Sequence, residues 1–452
     1  MPHQEALTVL VRIRDGQVAV LKNMLGSIRE HGGNWNIVPF AKLPRVHFAR
    51  FVVFDASQDL EGNPLPAQLA LLTHVDAPLA DHLDELSTVC GEGMDAVFSH
   101  CEGYPAVSDR SPRARYKFLR EHLVKSAVVH VNRRGRTVEQ IRQEDFLRRE
   151  LNRFLDTDDF SRLTPAEIKE RIVTFVRGRT DLGWALRPPA GPALSWRIKE
   201  LIHRVFFILL AIVFAPLLLL GLPLFLLLLR YHEKRDVPNS LAASTESVRA
   251  FRDDEDYWAQ NQIMAVGLFK PGLFRNITTR AILGIADYAT RHIYNRGVLS
   301  GLNTIHFARW VIFDDGRRLF FSSNYDGSLE SYMNDFIDKA AWGLNAIFSN
   351  GDGFPTTAYL FCRGITDEKA YKRFLPTRQV QSSVWYSAYP NLTTKNIANN
   401  EAIRRGLSED MNDQQTRLWL KRFGTGNQLP ESGWAARLLD KLNWEKICRN
   451  CR

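Results

Sequence analysis

The chain has 452 residues, of which 45% are hydrophobic and 24% charged. These values are typical of globular proteins and exclude a wholly disordered chain. Its 59 basic and 50 acidic side chains give a formal net charge of +9, which suits an anionic lipid surface or nucleic acid. Because no basic patch is interleaved with aromatic residues, as in single-strand binders, we expect no nucleic-acid partner. The first residues, MPHQEALTVLVRIRDG, lack the pattern of a secretory signal.

Residues 1–155 are predicted to form a first α/β unit, which we call segment 1. Hydrophobic periodicity and turn residues predict its elements in chain order: a strand at 7–13, a helix at 18–30, strands at 46–54 and 68–73, a helix at 79–89, a short helix after a Gly-Tyr-Pro turn, a strand at 126–131 and a last helix. Strand–helix–strand–strand–helix–strand is the ferredoxin-like plan.

An apolar stretch follows within the linker at 156–260. Residues 205–229 contain no polar side chain and would form a helix about 37 Å long, enough for a bilayer core of about 30 Å. Pro216 and Pro223 interrupt the stretch and basic residues flank both ends, which favours a hairpin that enters one leaflet and returns. A single transmembrane span and a soluble core helix are the alternatives. The hairpin would leave both flanking units at the cytoplasmic face of the membrane.

Residues 261–407, which we call segment 2, repeat the order of segment 1. The motif HFAR at 47–50 recurs at 306–309, and FSHCEGYP at 98–105 is matched by FSNGDGFP at 348–355. The predicted elements of segment 2 lie at 263–269, 281–294, 305–313, 318–322, 329–340 and 383–389. The sequence therefore predicts an α+β protein built by tandem duplication of one ferredoxin-like βαββαβ module, with a C-terminal tail at 408–452.

The strand predicted at 46–54 has apolar residues on both of its alternating faces, which indicates cover on both sides. One cover is the helices of its own segment, and the other could be the matching sheet of the other segment. This arrangement resembles the dimeric α/β-barrel superfamily, whose members include dye-decolorising peroxidases, chlorite dismutases and small monooxygenases. The resemblance implies that the two segments pair as a barrel-like unit around a pocket.

Segment 2 also resembles a family of uncharacterised bacterial membrane-associated proteins. The likeness rests on KPG at 270–272, IHFARW at 305–310, SNYDGSLESY at 323–332 and VWYSAYPNLT at 384–393. It spans most of segment 2 and implies membrane association without implying an activity.

Candidate catalytic residues come from the HFAR motifs and from Asp326. Histidine can ligate haem iron or move a proton, and arginine can stabilise charge that develops on a peroxide. Asp326 lies in a turn that loosely resembles the GxxDG loop of dye-decolorising peroxidases. The candidates are His47, Arg50, His306, Arg309 and Asp326.

Each of these residues also has a structural interpretation. Residues i and i+3 of a strand point to opposite faces. The HFAR histidine and arginine could therefore instead form hydrogen bonds with loop backbone where the strand begins, or pair with Asp55 or Asp314. Asp326 and its counterpart Asp76 are well placed to cap the helices that begin near 329 and 79.

Four residues near the end of segment 2 are candidates for cofactor binding, either because they occupy the same turn as Asp326 or because they lie on the last strand. They are Asn324, Tyr325, Trp385 and Tyr386. Aromatic residues on a strand are also typical of a core. Five of the histidines of segment 1 are possible metal ligands, but they lack a metal-binding spacing, so no metal site is predicted. These are His74, His82, His100, His122 and His130.

The leading functional hypothesis is a membrane-anchored α/β-barrel protein that binds an apolar or haem-like small molecule between its segments. An oxidoreductase of the peroxidase or monooxygenase type would fit that hypothesis by analogy of fold. The alternative is a non-catalytic membrane-bound scaffold or partner-binding protein. The bilayer is the expected partner in either case.

Overall fold

The structure, a computed structural model, describes residues 3–424 apart from 31–36, 158, 161, 189–190, 240–241, 254, 256 and 296. It is a mixed α+β protein with antiparallel sheets and one long apolar helix. Most of the predicted C-terminal tail at 408–452 lies outside the described residues.

The longer strands among the described residues are β1 (Gln4–Arg12), β2 (Val46–Phe54), β3 (Gln68–Asp76), β4 (Val128–Val131), β5 (Gln260–Leu268), β6 (Ile305–Phe313), β7 (Arg318–Asp326) and β8 (Val384–Ser387). The α-helices are α1 (Val18–Glu30), α2 (Leu79–Thr88), α3 (Gly91–Phe98), α4 (Pro112–Glu121), α5 (Val138–Thr157), α6 (Pro165–Gly178), α7 (Leu194–Glu233), α8 (Thr245–Arg252), α9 (Leu273–His292), α10 (Leu329–Lys339), α11 (Ala341–Phe348), α12 (Glu368–Phe374), α13 (Thr394–Ser408) and α14 (Asp413–Leu420).

Each four-stranded sheet takes one strand from the other segment. Sheet 1 has the order β1–β3–β2–β8 and sheet 2 the order β4–β6–β7–β5, with antiparallel pairing throughout. Trp385 of β8 lies opposite Arg50 of β2, and His130 of β4 lies opposite Ala308 of β6. The predicted fourth strands are present, but each completes the sheet of the other segment. The exchange pairs the edge that β2 or β6 would otherwise expose.

The two sheets pack against each other through an apolar cluster. Sheet 1 contributes Leu10, Val52, Phe54, Ala70 and Leu72, and sheet 2 contributes Met264, Val311, Phe313 and Phe320. The ring centroids of Phe54 and Phe313 are 5.3 Å apart. Helices cover the opposite face of each sheet, so all nine residues of β2 are buried. The expectation that this strand is covered on both faces is confirmed.

Helix α7 is continuous over 40 residues, with Pro216 and Pro223 inside it. The prediction of a hairpin folded at the prolines is therefore wrong. Proline removes one hydrogen bond from a helix, but neighbouring turns still satisfy the other backbone groups, and long apolar helices tolerate this. The most apolar 18-residue window of α7 has a mean hydropathy of 3.0 and no buried residue. By length and composition α7 could cross a membrane.

The strand exchange predicts that neither segment folds alone. A fragment of residues 1–190 would lack β8, and its β4 would have no partner strand, so we expect it to be insoluble or to unfold without a cooperative transition. Coexpression with residues 242–424 should restore a soluble complex. Soluble yield and thermal unfolding by circular dichroism would test this, and a cooperative monomeric transition of the first fragment alone would contradict it.

Candidate functional site

The two HFAR histidines occupy equivalent irregularities in their strands. The pairing register shifts between Val46 and Phe48 in β2, and between Ile305 and Phe307 in β6, so His47 and His306 are the extra residues. A bulge of this kind turns a side chain out of the regular alternation of a strand. This local geometry directs both imidazoles toward an aspartate at the end of the neighbouring strand.

Each histidine forms a hydrogen bond with an aspartate that also binds the start of a helix. His47 Nε2 lies 3.0 Å from Asp76 Oδ1, and Asp76 Oδ2 accepts a bond of 3.0 Å from the backbone N–H of Val138. In the second unit His306 Nε2 lies 2.7 Å from Asp326 Oδ1. Asp326 Oδ2 accepts bonds of 2.8 Å from the N–H and the hydroxyl of Thr394. A carboxylate at a helix N-terminus also complements the helix dipole.

The prediction that the two aspartates bind helix N-termini is therefore correct, but the helices predicted for them are wrong. Asp76 and Asp326 bind the first residues of α5 and α13, which follow the exchanged strands, rather than α2 and α10. Ser328 is the N-cap of α10, where its side chain accepts from Ser331 N. Pro78 precedes α2 without a side-chain cap. The predicted pairing of the HFAR residues with Asp55 or Asp314 is also wrong, because these aspartates bind Lys22 and Arg318.

A small cavity separates the two histidine–aspartate pairs. Its volume is about 20 Å³, and its lining includes His47, His306 and Tyr389. Tyr389 Oη lies 2.7 Å from His47 Nδ1, and burial, followed by the charge of Asp76, raises the pKa of this tyrosine well above 10. A space of this size holds about one water molecule.

Haem does not fit between the sheets at this place. Both ring nitrogens of His47 are engaged, by Asp76 and Tyr389, and the cavity has room for a water rather than a macrocycle. An axial histidine needs a free nitrogen facing an open pocket. The cavity has room for about one water molecule, with which a histidine could exchange a proton.

The HFAR arginines cross from one sheet to the other. Arg50 is 2% exposed and donates to the backbone oxygens of Ile263 and Ser323, each at 3.4 Å, and to Asn324 Oδ1. Arg309 is fully buried and donates to the backbone oxygens of Leu7 and Thr73 and to Thr8 Oγ1. Burial lowers the pKa of Arg50 to about 9 and that of Arg309 well below 12.5. The arginines thus hold the two sheets together.

Two of the four predicted cofactor-binding residues, Asn324 and Trp385, lie at the interface between the sheets, and the other two lie in the cores behind them. Trp385 Nε1 donates to Asn324 Oδ1 at 3.0 Å, which places both beside Arg50. The Tyr325 ring stacks on Tyr332, with centroids 3.9 Å apart. Tyr386 packs against Phe40 in the core of segment 1. Arg50, Asn324 and Trp385 therefore come together, whereas Tyr325 and Tyr386 lie in two different cores.

Sequence reasoning missed a buried set of ion pairs beside the histidines. Glu144 of α5 is fully buried and pairs with Arg136 and with Arg404 of α13. Arg136 also binds Glu401 at 2.6 Å. One signal was available, because Glu144 stands on the helix face that carries Ile141, Leu147 and Leu151, where an apolar residue is expected.

No group of three histidine, cysteine, aspartate or glutamate residues in the described part of the chain could hold a metal ion. The five histidines of segment 1 named as possible ligands lie in separate environments. For example, His82 pairs with Thr73 and His100 with Gln17.

Comparison with known proteins adds no family. No protein-family model, curated protein or solved structure matches the chain.

Replacing Arg309 should weaken the contact between the two sheets and so lower the stability of the fold. We expect Arg309→Met to lower the free energy of unfolding by roughly 3 kcal/mol or more, because three buried acceptors lose their donor. Urea denaturation in detergent would measure the change. Arg249→Met is a matched control, since that arginine is largely exposed and the change should stay within about 0.5 kcal/mol. Equal effects of the two substitutions would disprove the role given to Arg309.

His130 should make the fold sensitive to acid. It is fully buried, neither ring nitrogen has a hydrogen-bond partner among the described residues, and burial lowers its pKa from 6.5 to about 3. Between these two pH values the unfolded chain binds a proton that the folded chain does not. The free energy of unfolding should therefore fall as the pH falls from about 6.5, by at most about 1.4 kcal/mol per pH unit for this residue.

His130→Leu should remove that contribution and flatten the pH dependence, measured by urea denaturation at pH 7 and pH 5. Val129→Ala on the same strand is the control, since it should lower stability equally at both pH values. A slope that His130→Leu leaves unchanged would assign the acid sensitivity to other groups.

Proposed function

We propose that the protein is a binding protein that works at a membrane surface. On this view its HFAR motifs hold the two sheets together and do not carry out redox chemistry. In this proposal segments 1 and 2 are duplicated ferredoxin-like modules that exchange their last strands, as a single-chain relative of the dimeric α/β-barrel arrangement. The likeness of segment 2 to bacterial membrane-associated proteins supports the same setting. The observation that carries the proposal is the position of α7.

Both ends of α7 bind segment 2. Near its start, His203 Nδ1 lies 2.9 Å from His292 Nε2 at the end of α9. Near its end, the buried carboxylate of Glu233 accepts bonds from Thr357 Oγ1 and from the N–H groups of Tyr359 and Leu360, at 2.8 to 3.0 Å. Because both ends of α7 bind segment 2, both ends are expected on the same side of a membrane.

Ring contacts between these two ends indicate that α7 follows α9 in the opposite direction. Phe207 lies 5.7 Å from Tyr288, and Phe225 lies 5.6 Å from Phe274. If α7 spanned a bilayer, α9 would lie at bilayer depth beside it, with its exposed Arg280 in hydrocarbon. A charged residue at the bilayer centre costs about 3 kcal/mol or more. A position in the plane of the interface avoids that cost.

Helix α9 adds a second apolar surface next to α7. Its exposed residues at i, i+4, i+8 and i+12 are apolar, namely Leu273, Ile277, Ala281 and Ile285. Residues at this spacing share one face of a helix. Exposed apolar stripes of this kind mark a contact with a partner or a membrane.

Basic side chains lie close to both ends of the apolar stretch, namely Arg197, Lys199, Arg204, Arg230, Lys234 and Arg235. An anionic leaflet attracts such residues by about 1 kcal/mol each. Because anionic lipids are enriched on the cytoplasmic leaflet, the charge distribution supports binding from that side.

The depth of α7 tests the proposal. Spin-labelled residues incorporated at 201, 217 and 227 should show the same shallow depth in anionic vesicles, measured by the accessibility of the nitroxides to oxygen and to a water-soluble nickel complex. A label at Val107, which is 77% exposed on segment 1, should report water as a control. A depth that is greatest at 217 and falls toward both ends would indicate a spanning helix and overturn the in-plane position.

A further inference from the structure

Segment 2 has an apolar cavity between sheet 2 and its helices. The cavity has a volume of about 50 Å³ and, apart from Asp352, Tyr371 and Arg378, is lined by apolar or glycine residues. It lies beside β5, and the residues Val266, Gly267, Leu268 and Arg378 also line a groove of about 550 Å³ between the two segments. The cavity and the groove are therefore adjacent spaces that share one rim.

The cavity follows from two small residues. On the helix-facing side of β1, segment 1 places Leu7, Val9 and Val11, which are 0 to 2% exposed. The residues of β5 at an offset of 256 are Ile263, Ala265 and Gly267. Ala265 and Gly267 are smaller than the valines of segment 1. Because packed protein interiors otherwise leave few voids, the cavity beside these two residues is accounted for by their small size.

Backbone contacts show that the rest of this edge is the same in both segments. Leu10 N donates to His122 O, and Glu102 N to Arg12 O. In segment 2 Val266 N donates to Arg378 O, and Asp352 N to Leu268 O. Val11 fills the gap between the two bonds in segment 1, whereas Gly267 leaves the corresponding gap in segment 2 without a side chain.

Arg378 stands at this gap. Its Nη2 donates to the backbone oxygen of Asp352 at 3.0 Å and to its carboxylate at 3.1 Å. Its Nε is buried and has no hydrogen-bond partner among the described residues. A buried donor without a partner is rare in native proteins and calls for a ligand or a water.

The groove gives the cavity a polar border. Lys22 and Arg318 also line the groove, but each pairs with an aspartate, Asp55 and Asp314 respectively. The buried Nε of Arg378 is therefore the donor open to a ligand, and an apolar cavity beside it matches a molecule with an apolar end and an anionic head.

We propose that segment 2 binds a single-chain anionic amphiphile, such as a fatty-acyl carboxylate, with the end of its chain in the apolar cavity and its carboxylate on Arg378 Nε. A cavity of about 50 Å³ is too small for a ring system or a second chain. The inference rests on the proposed function as a binding protein at a membrane surface, because the bilayer is the source of such a molecule. It does not depend on the depth of α7.

Photolabelling of the full chain in neutral detergent tests the site. The probe is dodecanoate with a diazirine near the end of its chain, and the labelled peptides are mapped by mass spectrometry. We expect saturable labelling of peptides that contain Phe336, Leu344 or Phe374, with competition by unlabelled dodecanoate. Labelling confined to α7, without saturation, would mean partition onto the membrane helix only and would overturn the proposal.

Gly267→Val is the decisive variant, because it restores the residue of segment 1. A Cβ at Gly267 would meet no atom within 4 Å, so the variant should fold and keep or raise the melting temperature while labelling falls at least tenfold. Gly284→Ala is the matched control, since a Cβ there also meets no atom within 4 Å and residue 284 is outside both cavities. Unchanged labelling of a folded Gly267→Val protein would refute the site.

Arg378→Gln separates head recognition from chain binding. We expect dodecanoate labelling to fall at least fivefold, whereas the diazirine analogue of uncharged dodecanol should label this variant and the wild type alike. Equal losses for both probes would mean that Arg378 supports the fold and does not recognise the head group. Equal retention of both probes would show that the carboxylate does not bind Arg378. Neither result bears on the depth of α7, so failure of the site and failure of the proposed function remain distinguishable.

Discussion

The reciprocal exchange between the two sheets is the constraint on which the rest of the structure depends. Sheet 1 is completed by β8 and sheet 2 by β4, while Arg50 and Arg309 cross the interface in opposite directions to bind backbone oxygens of the other sheet. A buried guanidinium is tolerated only where its donors are satisfied. Each arginine therefore requires the opposite sheet to be in place, and each sheet requires the opposite strand.

This mutual dependence explains the histidine–aspartate pairs. Helices α5 and α13 directly follow the exchanged strands, and their first N–H groups bind Asp76 and Asp326. The aspartates belong to the sheets opposite those that β4 and β8 enter, so the pairs fix where each crossing chain leaves its strand. A water-sized cavity between two such pairs is a consequence of the near-symmetric junction. The resulting position of α13 against α5 also brings Glu144 and Arg404 together in the interior.

Part of this could be predicted from the sequence because it depends on local patterns. The strands and most helices follow from apolar periodicity, and cover on both faces of β2 follows from Phe48, Phe51 and Val53 alternating along it. The exchange could not be predicted, because β4 would satisfy the same pattern on either sheet. The sequence also could not show that Asp326 binds the start of α13, because a carboxylate that is near one helix in the sequence can cap a different helix in space. The two prolines of α7 suggested a break that helical neighbours accommodate.

The differences between the segments carry more functional information than their similarities. The HFAR histidines bind Asp76 and Asp326 at the two junctions, so the role of these residues is structural. The edge strands diverge at positions with the same backbone contacts, where Val9, Val11 and His122 correspond to Ala265, Gly267 and Arg378. Val9 and Val11 fill the core of segment 1, whereas segment 2 has both a cavity and an unpartnered donor, Arg378 Nε. If the two segments are duplicates of one module, as proposed, the segment with the incompletely filled core is the one expected to bind, because larger side chains at Ala265 and Gly267 would fill the cavity and raise stability.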